Sequence, residues 1–215
     1  MKPVKLVAAA LALAFVANAA PLLTATAFAA DAPAMASASP KLHATMRELW
    51  QGHADTTRDY ATAVKAGDAA AEKKAADAVV ANAKKIADAV GGFYGEAAGK
   101  QMLELLAGHW TAVKALTDAQ KKGDAAGVKN AMSDMSTNAD AIAKFLSGAN
   151  PNLPESAVKG LLVTHAMHHE MLTDEIMKGD TANAAKTWGA MQAHMNTLAD
   201  ALSDGIAKQF PQQAA

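Results

Sequence analysis

The chain has 215 residues, with 20 basic and 21 acidic side chains, 51% hydrophobic residues and no cysteine. The lack of cysteine excludes disulfides, thiolate metal sites, iron–sulfur clusters and CxxCH haem attachment. The formal net charge of −1 argues against a nucleic-acid or anionic-lipid surface.

Residues 1–30, "MKPVKLVAAALALAFVANAAPLLTATAFAA", read as a secretory signal peptide. Lys2 and Lys5 give a basic start, an apolar run follows, and Ala27-Phe28-Ala29 forms an A-x-A cleavage site. A periplasmic or secreted protein is therefore expected. "DAPAMASASP", residues 31–40, reads as a disordered leader. Residues 41–212 are expected to form a single helical-bundle domain, and no segment there is apolar enough for a membrane span.

That domain carries an internal repeat. "LWQGHADTTRDYATAVKAGD" (49–68), "LLAGHWTAVKALTDAQKKGD" (105–124) and "LLVTHAMHHEMLTDEIMKGD" (161–180) align without gaps at a step of 56 residues. His53, His109 and His165 are equivalent, as are Asn82, Asn138 and His194. Apolar residues recur at i, i+3/i+4 and i+7 in each unit, the period of a helix with one buried face. Gly at a helix end followed by Asp as the next N-cap predicts tight turns at 67–68, 123–124 and 179–180. "GGFYGEAAG" (91–99) and "SGANPNLPES" (147–156) are expected to be loops between hairpins. The fold class is all-α: six antiparallel helices built from three repeated hairpins.

Turn geometry then places the polar positions. Each of the three repeated histidines lies 14 residues before its turn glycine, and Asn82, Asn138 and His194 each lie 14 residues after their turn aspartate. Two helices running oppositely from one turn bring both positions to one height, about 21 Å from the turn at 1.5 Å per residue. A single inward layer is expected, with Asn amides bonded to imidazoles and Leu49, Leu105 and Leu161 as its apolar floor. His43 is expected to be exposed near the helix start.

The third unit departs from the others by adding His168 and His169 and by carrying His194 in place of Asn. His165 and His169 stand i, i+4, the spacing by which one helix offers two imidazoles to one ion. The candidate metal ligands are His53, His109, His165, His169, His194, His168 and Met191. Imidazole suits copper or zinc, and the thioethers of Met167, Met171, Met191 and Met195 suit Cu(I). Neutral imidazole is the ligand form, so release is expected as pH falls through about 6. The alternative is a structural layer whose polar groups fix register, in a bundle serving as an envelope interaction or ligand-binding module. The "HHE" at 168–170 is shared with hemerythrin-like bundles, but the repeated carboxylates those need are missing from the inward stripe. Phosphate loops, G-x-S-x-G elbows and HExxH are absent.

The motifs "LW..H....R" (49–58), "FYGEAAG" (93–99), "FLSGANPN" (145–152) and "LSDGIAKQFP" (202–211) resemble a family of uncharacterised bacterial helical-bundle proteins, some labelled glycosyltransferase. The resemblance covers most of the chain after the leader and implies an all-helical bundle, with no established activity. An all-helical chain lacks a nucleotide-sugar α/β domain, so the label finds no support. His168 and His169 go beyond the family's pattern. The expectation is an exported copper- or zinc-binding bundle for sequestration or delivery, with an envelope protein as a possible partner, rather than an enzyme.

Overall fold

The computed structural model describes residues 39–215. The expected signal peptide of 1–30 and the expected leader up to residue 38 lie outside the described residues. Ser39 and Pro40, the last two residues assigned to the leader, instead start the first helix. The described residues form six helices and no strand: α1 (Pro40–Ala66), α2 (Ala69–Tyr94), α3 (Glu96–Lys122), α4 (Ala125–Ala149), α5 (Glu155–Lys178) and α6 (Thr181–Gln209).

The three Gly-Asp turns stand at their expected places and share one geometry. Gly67, Gly123 and Gly179 adopt left-handed φ values of 71°, 69° and 74°, open to glycine because it lacks Cβ. Each amide bonds the carbonyl three residues back, and the following Asp amide reaches five back, as Asp68 to Ala63. That double bond closes the helix end. The same aspartates then cap the next helix: Asp68 accepts from Ala70 and Ala71, Asp124 from Gly127, and Asp180 from Asn183. Two residues thus end one helix, reverse the chain and begin another. Tyr60 meets Glu72 and Leu49 meets Asn82, so paired helices run in opposite directions.

The link between the first two hairpins differs from the expectation. Of "GGFYGEAAG", only Gly95, at φ 92°, interrupts helix. The other glycines allow close packing: a Cβ on Gly99 would stand 3.0 Å from the Ala87 carbonyl and 3.1 Å from Gly91 Cα. The second link is a loop as expected, but only over residues 150–154, because α4 runs on to Ala149 and α5 starts at Glu155. It is held by Asn150, which is wholly buried and donates to the Tyr94 hydroxyl at 2.8 Å.

Each helix packs on its neighbours in sequence, and α6 closes on α1. Across the middle, α1, α3 and α5 also touch one another. Three inner helices therefore surround an axis, with α2, α4 and α6 in the outer gaps. The apolar stripes fill the interior with Met46, Trp50, Ile86, Met102, Leu106, Ile142, Leu162, Met191, Met195 and Leu198. Each such fully buried side chain contributes about 1.5–3 kcal/mol. No helix among the described residues is long and apolar enough to cross a membrane.

The α1/α6 seam is polar. Arg47 forms a two-pronged pair with Asp200 at 2.5 and 2.8 Å, and Gln51 donates to the Gln192 carbonyl at 2.7 Å. His43 lies between Asp200 and Asp204, 3.0 Å from each, with its side chain 13% exposed. It is a seam residue rather than the free surface histidine expected.

Candidate metal centre

The inner helices each bring one repeated histidine to the axis. The ring centroids of His53, His109 and His165 stand 5.5, 5.5 and 5.6 Å apart, a nearly equilateral triangle. His169, one turn further along α5, caps it at 4.3 Å from His165, 5.5 Å from His109 and 6.0 Å from His53. All four are buried, at 8% exposure or less. One ring nitrogen from each lies within 4.8 Å of one from every other. Tetrahedral coordination with metal–nitrogen bonds of about 2.1 Å sets nitrogens about 3.4 Å apart. The four rings would have to close from that span to this one on taking up an ion.

The first turn below the triangle is apolar, but its floor is not the one expected. Leu49, Leu105 and Leu161 are only half-buried, whereas Trp50, Leu106 and Leu162, three residues before each histidine, point inward. Trp50 meets His53 edge-on at 6.0 Å. On the other side, Thr57 and Val113 hold the positions equivalent to His169, both buried. The Thr57 hydroxyl donates to its own helix at the His53 carbonyl, 3.0 Å away.

Asn82, Asn138 and His194 lie beside the layer rather than in it. Asn82 donates to the Leu49 carbonyl at 3.0 Å, Asn138 to that of Leu105 at 2.9 Å, and His194 Nε2 to that of Leu161 at 2.8 Å. These carbonyls belong to the residues four before each histidine, so in a helix they reach the histidine's height. The expected height therefore stands, but the expected Asn–imidazole bonds do not form. The reason lies in "GH": a Cβ on Gly52 would come within 3.0 Å of Asn82 Nδ2, and one on Gly108 within 3.1 Å of Asn138 Nδ2. Glycine opens the backbone to a short amide. The third unit has Thr164 there, and the longer imidazole of His194 reaches the equivalent carbonyl.

Of the seven proposed ligands, four are brought together. His168 and His194 form a separate half-buried pair, ring centroids 5.3 Å apart. Met191 is fully buried on α6 within the main apolar cluster, as is Met195. Met167 and Met171 are 52% and 48% exposed.

Burial sets the protonation of the cluster. Desolvation, joined by the charge of His109, pushes His53 down to about 3, and desolvation alone pushes His109 to about 4. His165 and His169 fall well below the ordinary histidine value, first from burial and then from the neighbouring imidazoles. No carboxylate contributes to any of these four shifts. At neutral pH all four rings are neutral and each keeps one unprotonated nitrogen, the form a metal needs. Nδ1 of His53 and His165 and Nε2 of His109 are buried without a hydrogen-bond partner. His165 and His169 share one bond, Nε2 to Nε2 at 3.0 Å. Buried ring nitrogens without partners are costly, by about 1–3 kcal/mol each.

Comparison with known proteins finds no matching family model, no matching curated protein and no matching solved structure.

Proposed function

We propose that this protein is an exported metal-binding bundle that holds a transition-metal ion at His53, His109, His165 and His169 for sequestration or delivery. The observation that carries the reading is four buried imidazoles, with one nitrogen from each inside a 4.8 Å span. Rings 4.3 to 6.0 Å apart leave room for an ion and none for an organic substrate, so binding is favoured over turnover. The export reading rests on the basic, apolar and A-x-A features of residues 1–30.

Charge separates the two candidate metals. Four neutral ligands leave the ion's whole charge in an apolar interior, and the desolvation cost grows with the square of that charge. Copper(I) therefore suits the site better than zinc(II), and both accept imidazole in a tetrahedral set. Burial also moves acid release below the value near 6 that free histidine suggests, toward the range of His53 and His109 at about 3 and 4.

The His165–His169 bond at 3.0 Å favours a second reading, in which the layer is a metal-free polar core that fixes register. Thermal unfolding with and without Cu(I) or Zn(II) at pH 7.5 separates the two. A ligand at one hundred times its Kd stabilises by about 2.7 kcal/mol, roughly 5–10 °C for a domain this size. His169→Val, which installs the side chain of the equivalent Val113, should lose most of that shift while remaining helical. If neither metal moves the transition, the layer is structural.

A further inference from the structure

The third hairpin carries more histidine than the inner site uses. His168 and His194 face each other across α5 and α6, where the other hairpins have Thr56 with Asn82 and Ala112 with Asn138. Reach around Thr164 accounts for His194, since it restores the bond to the Leu161 carbonyl. It does not account for His168, whose Nδ1 is buried without a partner. The Leu161 bond also fixes the His194 tautomer: Nε2 carries the proton, so Nδ1 keeps its lone pair. A ligating histidine is commonly oriented this way, by a backbone carbonyl on its far nitrogen.

Position along α5 gives the pair a direction. Met167 and Met171 are exposed at 52% and 48%, His168 and His194 are half-buried, and His169 is 3% exposed. Met171 follows His168 by three residues, so the two are surface neighbours on the helix, and Met167 neighbours Met171 in turn at i, i+4. Thioether, paired imidazole and buried imidazole cluster thus succeed one another from solvent to axis within five residues of one helix. Each step offers a lone pair to a soft cation, and Glu170 and Asp174 line the same surface pocket as Met171. His194 is also close enough to act electrostatically on His165, and His168 on His169.

We propose that His168 and His194, flanked by Met167 and Met171, form an outer metal station through which a soft monovalent ion of the copper(I) type enters and leaves the inner four histidines. This rests on the inner site being a metal site. The station explains how an ion reaches a centre closed below by Trp50, Leu106 and Leu162.

The test is anaerobic transfer of Cu(I) from a coloured chelator, following both the rate and the final partition. His168→Ala, which copies Ala112 of the second hairpin and leaves the Leu161 bond intact, should slow transfer at least tenfold and leave the partition unchanged. Met167→Leu with Met171→Leu should slow it less. His169→Val should instead weaken the partition. If His168→Ala transfers at the wild-type rate while His169→Val loses affinity, the outer station is refuted and the inner site stands. If the wild type takes no Cu(I) from any chelator, the station is refuted, and if it takes no Zn(II) either, the inner reading fails with it. If His168→Ala abolishes binding and His169→Val does not, the ion rests on the outer pair, and both the inner site and the entry route are refuted.

Discussion

The third hairpin and the first two share a backbone plan but differ in side-chain chemistry. All three have a left-handed glycine, a capping aspartate, an inward histidine and a side chain bonded to the carbonyl four residues before it. Only the third adds His168 and His169 and exchanges Asn for His194. Structural duties are spread evenly around the axis, while ligands accumulate on one side. Substitutions in the shared plan should therefore act alike in every hairpin, and substitutions in the additions should act on the third alone.

Acid gives the largest expected effect. The unfolded chain binds protons on histidine below about 6.5, whereas the folded cluster stays neutral down to about 4 for His109 and about 3 for His53. The unfolded state therefore takes up more protons in that window, and stability falls as pH drops. Each buried ring accounts for about 1.4 kcal/mol per pH unit. The metal-free protein should lose its helical circular dichroism in a steep transition starting below pH 6. A metal-free protein that stays folded at pH 4 would contradict this burial-based picture. His169→Val removes one of the four and should make the transition shallower.

The metal-dependent shift is next in size, at about 2.7 kcal/mol with ligand at one hundred times its Kd. It should be lost in His169→Val yet persist in His168→Ala, which separates the two additions within one hairpin.

Smaller and more even effects test the common plan. Asn82→Ala and Asn138→Ala should each cost about 1 kcal/mol in chemical denaturation, a typical net hydrogen bond. His194→Ala should cost the same, and a much larger loss there would mean the third hairpin is held differently. The caps come last: Asp68→Ala, Asp124→Ala and Asp180→Ala should each cost about 1 kcal/mol or less. A threefold spread among those three would break the equivalence of the hairpins.

The height of the histidines was legible in sequence because two quantities determined it: distance from a turn and rise per residue. The identity of the bonded partner was not. Whether Asn82 meets an imidazole or a carbonyl depends on the space that Gly52 leaves, and that is a packing property of two helices together. The repeated "GH" held the clue, unread as spacing alone. Gly91 and Gly99 misled for the opposite reason: glycine permits a loop but also a close helix crossing, and neighbouring residues do not say which. His43 could be placed only once α6 had returned to α1, a contact over 150 residues apart in sequence.

That return gives the seam a kinetic meaning. Every other helix contact in the ring joins neighbours along the chain, so the hairpins can form locally and early, whereas α1 and α6 must wait for the whole chain to come round. Their contact includes Arg47, His43 and Gln51, polar groups that water can compete for. The seam is thus the place where native-state hydrogen exchange should find the first opening, and where two chains could trade α1 for one another. The histidine cluster draws on α1, α3 and α5, one helix from each hairpin, so its four rings assemble only when all three hairpins have come together. An ion that needs all four would report, by its capture, that the three hairpins have docked.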